Sequence, residues 1–227
     1  CGAAASLTIT FHALYTQGDE YIAFAPYFAE YKVFVENSGA KFVVAPSDTK
    51  TMLPDFCALE RAITPQTKGV LINSPNNPSG VVYGEKTLQT LAELLRKKSA
   101  EYGKPIYLIS DEPYRELAYD GVEVPYLTKY YANTIVGYSF SKSLSLPGER
   151  IGYLVITDEA SDSSDLISAA SVATRILGFV NAPTLQQKMV VKCLNEQTDI
   201  SYYDRNRETL YNGLLECGFE CIKPEGA

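Results

Sequence analysis

The chain contains a single histidine, His12, and it lies inside an apolar run. That scarcity excludes a Ser-His-Asp triad of the ordinary type and a histidine-built metal site, so no metal is expected. His12 itself reads as a packed helix residue. The cysteines, Cys1, Cys57, Cys193, Cys217 and Cys221, are odd in number, irregularly spaced and include no CxxC pair. A disulfide framework is therefore not expected, and a reducing cytoplasm is the simpler setting. Basic clusters are also scarce. The strongest is Arg96-Lys97-Lys98 on a predicted helix, and the net charge is -7, which argues against a nucleic-acid surface. No apolar stretch is long enough to span a bilayer. The first residues, CGAAASLTITF, carry neither an initiator methionine nor the order of a signal peptide, and the last, FECIKPEGA, end as a β-like segment begins. These ends read as those of a piece of a longer protein.

What is present is an ordinary globular composition, 46% hydrophobic and 21% charged, which leaves no case for disorder. Short apolar runs predict strands at 21–26, 41–46, 69–75, 105–114, 134–142 and 152–157. Between them lie helical stretches at 3–16, 27–37, 54–63 and 85–101, the last with leucines at 88, 91, 94 and 95. Beyond residue 160 the pattern is mainly helical, with 184–195 and 201–216 the clearest segments. Strand and helix alternate, and several strands are continuously apolar. The fold class is therefore α/β, a three-layer α/β/α arrangement around a mainly parallel sheet.

Ligands of open parallel sheets bind beyond the carboxyl ends of the strands. Polar groups gather there at 73–80 (NSPNNPSG), 110–114 (SDEPY), 139–142 (SFSK) and 148–150 (GER), with CGAAAS at 1–6 where a helix begins. Beyond the plainest reading, that Lys142 is one more solvated surface lysine, two readings compete for SFSK. A serine three residues before a lysine matches the nucleophile motif of penicillin-binding proteins and β-lactamases, but the SDN-like and KTG-like partner motifs are missing. The serine of those enzymes also starts a helix, whereas here it ends a strand-like run. The other reading is an aldehyde cofactor such as pyridoxal phosphate. It needs a lysine, a carboxylate facing the ring nitrogen, and cations with backbone amides for the phosphate. Lys142, Asp111 and Arg150 supply these three charge types.

The combination NSPNNPSG … SDEPYRELAYDG … SFSKSLSLPGERIGY resembles the class I/II aminotransferases of the aspartate-aminotransferase-like, fold type I family. The resemblance implies the large domain of a fold type I pyridoxal 5′-phosphate enzyme at 1–160, with its N-terminal part outside the chain. A helical connection follows at 161–200, and 201–227 begins a truncated C-terminal small domain. It also implies roles. Lys142 matches the lysine that forms the Schiff base and moves the proton, and Asp111 the carboxylate paired with the pyridine nitrogen. Asn77 and Tyr114 match the groups on the phenolic oxygen, and Ser139 and Arg150 match phosphate ligands. Gly2, Ala3 and Ala4 match the helix-start loop whose amides cradle the phosphate. Phe28 matches the aromatic stacked on the ring, with Tyr27 as the competitor. Glu112, next to Asp111, is turned by strand alternation to the other face. Arg175 and Asn181 resemble a region that approaches the substrate side.

The implied activity is transfer of an amino group between an amino acid and a 2-oxo acid by a cytoplasmic homodimer. Two alternatives share the same residues: a pyridoxal-phosphate-dependent carbon–sulfur lyase, and a non-enzymatic ligand-sensing regulator domain. In the family a C-terminal arginine grips the substrate's α-carboxylate. It would fall outside residues 1–227, so the piece alone is expected to be inactive.

Overall fold

The computed structural model describes all 227 residues. In chain order the elements are α1 (Gly2–Leu14), β1 (Glu20–Ala25), α2 (Glu30–Asn37), β2 (Lys41–Pro46), α3 (Phe56–Ala62), β3 (Thr67–Asn73) and α4 (Glu85–Tyr102). They continue with β4 (Tyr107–Asp111), β5 (Thr134–Ser139), α5 (Phe140–Ser143), β6 (Gly152–Ile156), α6 (Ser163–Ile176), α7 (Thr184–Cys193) and α8 (Ile200–Glu216). The strands form one sheet in the order β2-β1-β3-β4-β5-β6. All neighbours pair in parallel except β5 with β6.

Both faces of the central strands are buried, so their residues divide by parity between two cores. Ile22, Phe24, Val70, Ile72 and Leu108 join the cluster under α3 and α4, built on Leu59, Leu88, Leu91 and Leu95. Tyr21, Ala23, Leu71, Tyr107 and Ile109 join the opposite cluster with Leu7 and Phe11 of α1 and Tyr31 and Val35 of α2. This explains the continuous apolar runs: a strand covered on both sides has no solvent face to make polar. The edge strand β6 differs, for Tyr153 and Val155 are exposed on one side.

Helix α1 lies against β5, and α6 packs on it through Ala5, Ile9, Ala170 and Ala173. The buried Ser6 and Thr10 hydroxyls donate to carbonyls one turn back, at Gly2 and Ser6, so the helix carries polar side chains inward without orphaning them. A Cβ on Gly137 would stand 3.2 Å from Cβ of Ser6, so glycine at that position permits the close approach of α1 to β5.

Three local expectations change. The strand expected at 134–142 stops at Ser139 and turns into the one-turn helix α5, which carries Lys142. Ser139 keeps extended backbone angles and its Oγ accepts from Ser141 N–H, so it both ends the strand and caps a helix. Its serine thus does start a helical turn, and only the absence of the partner motifs still argues against the β-lactamase reading. Tyr27 and Phe28 precede α2 rather than open it. The terminal segment forms no strand. It bridges Ala118 at Gly226, and Glu225 accepts from Val82 N–H. No helix is long and apolar enough to cross a membrane.

Replacing Gly137→Val should force α1 off β5 and cost about 1–3 kcal/mol, the range for overpacking a core. A lower urea midpoint with an unchanged m-value is the expected result.

Candidate functional site

The chain order reverses across the sheet at β1, where β2 lies on one side and β3 on the other. Crevices that take ligands form beyond the carboxyl ends of strands at such points. β3 and β4 end in register, with Asn73 paired to Asp111, and Asp111 in turn lies beside Gly137 of β5. Asp111 shares the parity of Tyr107 and Ile109, so its side chain belongs to the α1/α2 face. Glu112 has the opposite parity. It is buried, accepts from Ser110 Oγ at 2.9 Å and forms a buried ion pair with Arg115, away from the crevice.

A cavity of about 270 Å³ opens at these strand ends. Of the predicted residues, Ala3, Ala4, Phe28, Asn77, Asp111, Tyr114, Ser139, Lys142 and Arg150 line it. Gly2 adjoins it through Arg150, for a Cβ on Gly2 would stand 3.0 Å from a guanidinium nitrogen. Gly2 also has a φ of +79°, a conformation that glycine adopts without strain. Lys142 and Arg150 are exposed at the cavity, and Lys142 Nζ stands 5.7 Å from the Tyr114 ring centre. Arg150 donates to the Pro147 carbonyl at 2.9 Å and reaches the Cys1 carbonyl at 3.5 Å, which places its guanidinium at the start of α1. Tyr27 pairs edge-on with Phe42, 5.0 Å between ring centres, and does not line the cavity. Arg175 and Asn181 are exposed and outside it.

The electrostatics centre on Asp111. Its Oδ2 accepts a 2.6 Å hydrogen bond from the Tyr31 hydroxyl, while Oδ1 is buried without a partner. Burial pushes the Asp111 carboxyl up to about 7; the Tyr31 bond pulls it down and the nearby Glu112 adds a smaller push. Burial and the Asp111 charge raise Tyr114, against the hydrogen bond from Asn77 Nδ2, 3.5 Å away.

Sequence reasoning overlooked three residues. Asn73 donates to the Asp111 carbonyl at 2.8 Å and accepts from Asn77 N–H at 2.6 Å, fastening the two loops together. Ser141 lines the cavity, its hydroxyl 2.7 Å from that of Ser139. The first asparagine of NSPNN and the second serine of SFSK were the available signals. Tyr31, three residues after Phe28, gave none.

Residues 1–227 match the family described as "Aminotransferase class I and II". The chain belongs to that family. It is 31% identical over its whole length to the aspartate/prephenate aminotransferase of Thermus thermophilus, of which it spans 58%. A crystal structure of an amino transferase from Eubacterium rectale superposes with a TM-score of 0.98 at 57% identity, covering all of this chain and 57% of that one. The aspartate aminotransferase of Thermotoga maritima gives 0.85 at 31% identity, over the whole chain and 58% of that structure. The chain thus spans somewhat more than half the length of the relatives it matches.

Class I and II aminotransferases use pyridoxal 5′-phosphate, and the cavity residues fit that group. A buried carboxylate oxygen without a partner suits a protonated ring nitrogen, since an orphan acceptor is costly. The first turn of α1 presents unpaired amides beside the Arg150 fork, a pairing suited to a phosphate dianion.

In the cofactor-free aminotransferase chain the raised Asp111 makes stability depend on pH. Between an unfolded carboxyl near 3.9 and the folded one near 7, only the folded state keeps the proton, so stability falls as pH rises through that window. The slope from this group is at most about 1.4 kcal/mol per pH unit, and it ends above the folded value. Urea midpoints from pH 4.5 to 7 should therefore decline less in Asp111→Asn than in the wild type.

Proposed function

We propose that the protein is an aminotransferase that moves an amino group between an amino acid and a 2-oxo acid, using pyridoxal 5′-phosphate in the cavity at the ends of β3, β4 and β5. The observation that carries this reading is that Lys142 and the half-partnered carboxylate of Asp111 line one cavity. When bound, the group supplies a protonated aromatic ring that takes up the electron pair left as a substrate Cα–H bond is broken.

The chain's own residues have separate tasks. Asp111, with its Oδ1 buried and unpartnered, would hold the ring nitrogen in its protonated form by offering it a counter-charge. Lys142 Nζ would be the amine that holds the aldehyde group and, when free and neutral, the base that moves a proton to and from the substrate carbon. Its place on a one-turn helix at the cavity mouth leaves the side chain room to move between these tasks. Asn77 and Tyr114 donate to the phenolic oxygen. Ser139, Arg150 and the amides of Gly2, Ala3 and Ala4 bind the phosphate, with Ser141 joining Ser139. Phe28 covers the ring face.

The cationic side chains of the cavity are Lys142 and Arg150 alone, and both have tasks toward the cofactor. The family resemblance implies a C-terminal arginine for the substrate's α-carboxylate, and we assign that cation outside residues 1–227. For the same reason the isolated piece is expected to lack transfer activity. Residues 1–160 are read as the cofactor-binding domain, 161–200 as the connection and 201–227 as the start of a smaller domain. Exposed apolar side chains on α6 and α7, among them Val172, Ile176, Leu185 and Val191, support a homodimer. Five unpaired cysteines support a cytoplasmic setting.

The test uses the full-length protein loaded with pyridoxal phosphate. Borohydride should fix the cofactor to the peptide carrying Lys142, and Lys142→Ala should abolish both that label and amino transfer. A label of wild-type strength in the variant would overturn the assignment of Lys142. Keto-acid formation with ammonia release and no acceptor would replace transfer by elimination. Arg150→Ala should retain the label but weaken cofactor binding by tenfold or more, read by spectrophotometric titration.

A further inference from the structure

The two oxygens of Asp111 are both buried but differ in what they meet. Oδ2 is held by the Tyr31 hydroxyl at 2.6 Å; Oδ1 has nothing. Tyr31 is 2% exposed and its ring stands edge-on to Phe28, 5.6 Å between centres. Val35, one turn further on, is fully buried on the same face of α2. The phenol therefore cannot swing to water. An ordinary buried tyrosine is satisfied by any carbonyl within reach; this one engages the only carboxylate lining the cavity.

Two consequences follow from the type of donor. A carboxylate with both oxygens free could rotate and present either one, and the Tyr31 bond removes that freedom. A phenol is also neutral. Lysine or arginine in its place would cancel the charge, whereas Tyr31 orients the carboxylate and leaves its charge for a ligand. The other titratable groups around the pair are Glu112 on the same segment, Tyr83 and Tyr114 near Tyr31, and Lys142 and Arg150 across the cavity. The α1 residues on the cavity, Ala3, Ala4 and Leu7, are uncharged.

We propose that Tyr31 is a positioning residue of the site, whose hydroxyl fixes Asp111 so that Oδ1 alone, with its charge uncancelled, meets the protonated ring nitrogen of the cofactor. This rests on the cofactor reading given above. It places part of the control of the ring's electronics on α2, an element that carries none of the residues attached to the phosphate or to the aldehyde carbon.

The experiment compares wild-type full-length protein with Tyr31→Phe, Asp111→Asn and the double variant. Phenylalanine keeps the ring and its packing, so the fold is retained. Two quantities are read: the dissociation constant for pyridoxal phosphate, and the titration of the Asp111 carboxyl in the cofactor-free protein by carbon-13 NMR. Tyr31→Phe should weaken cofactor binding by about tenfold, the effect of one charge-assisted hydrogen bond. It should also raise the carboxyl midpoint, because the lost bond favours the ionised form. In the Asp111→Asn background the same substitution should change binding less than threefold. An unmoved carboxyl midpoint, or an equal loss of affinity in both backgrounds, overturns the role of Tyr31 while leaving the cofactor reading intact. Failure of the wild type to take up pyridoxal phosphate overturns both.

Discussion

A carboxylate held out of water without a counter-charge is the constraint around which this molecule is organised. Desolvating an unpaired charge is costly, and a protein tolerates it only where the surroundings are rigid and a partner is expected. Here the rigidity comes from the sheet. Parallel pairing sets Asn73, Asp111 and Gly137 side by side at three strand ends, and double-sided burial of those strands prevents any of them from slipping by one residue. α2 then supplies Tyr31 and α1 comes close enough to bring its first turn to the same rim. The position of each polar group follows from packing that happens elsewhere.

Much of this was legible before the structure. Runs such as VLIN and IYLIS mark strands buried on both faces, and they ended where the polar clusters began. Parity alone separated Asp111 from Glu112, and the structure gives the physical outcome: one is half-partnered at a cavity, the other is paired with Arg115. The lysine and arginine were recognisable because SFSK followed by GER resembles the motif of the class I/II aminotransferases. The preference for Phe28 over Tyr27 came from the family resemblance, and the structure supplies the physical ground for Phe28 lining the cavity, since Phe42 of β2 claims Tyr27.

Tyr31 escaped for a different reason. Its partner lies 80 positions away, and no local pattern distinguishes a tyrosine packed in a core from one aimed at a carboxylate. Asn73 was hidden as the last letter of a strand, although its side chain joins the two loops that matter most. Such residues touch the site through other residues, and tertiary contact alone reveals them. The SFSK turn shows the complementary limit. Its apolar lead-in was read as strand up to the lysine, but a single serine can end a strand and cap a helix at once.

The reversed direction of β6 has a consequence for how compactly the site is wired. The other strands run toward the cavity, so a sixth parallel strand would begin at the opposite rim, roughly 17 Å away for five residues. Reaching that rim from β5 would take the connection away from the cavity and back across a face of the sheet. Because β6 runs backwards, it starts where β5 ends, at Ser139 opposite Gly152. One connection that stays at the cavity rim, residues 140–151, therefore delivers both cations, Lys142 on its way out of the sheet and Arg150 on its way back in. Their separation is set by that connection and by one pair of strands, and the C-terminal half holds the same connection, Thr198 donating to the Lys142 and Ser143 carbonyls and Gln186 to Glu149.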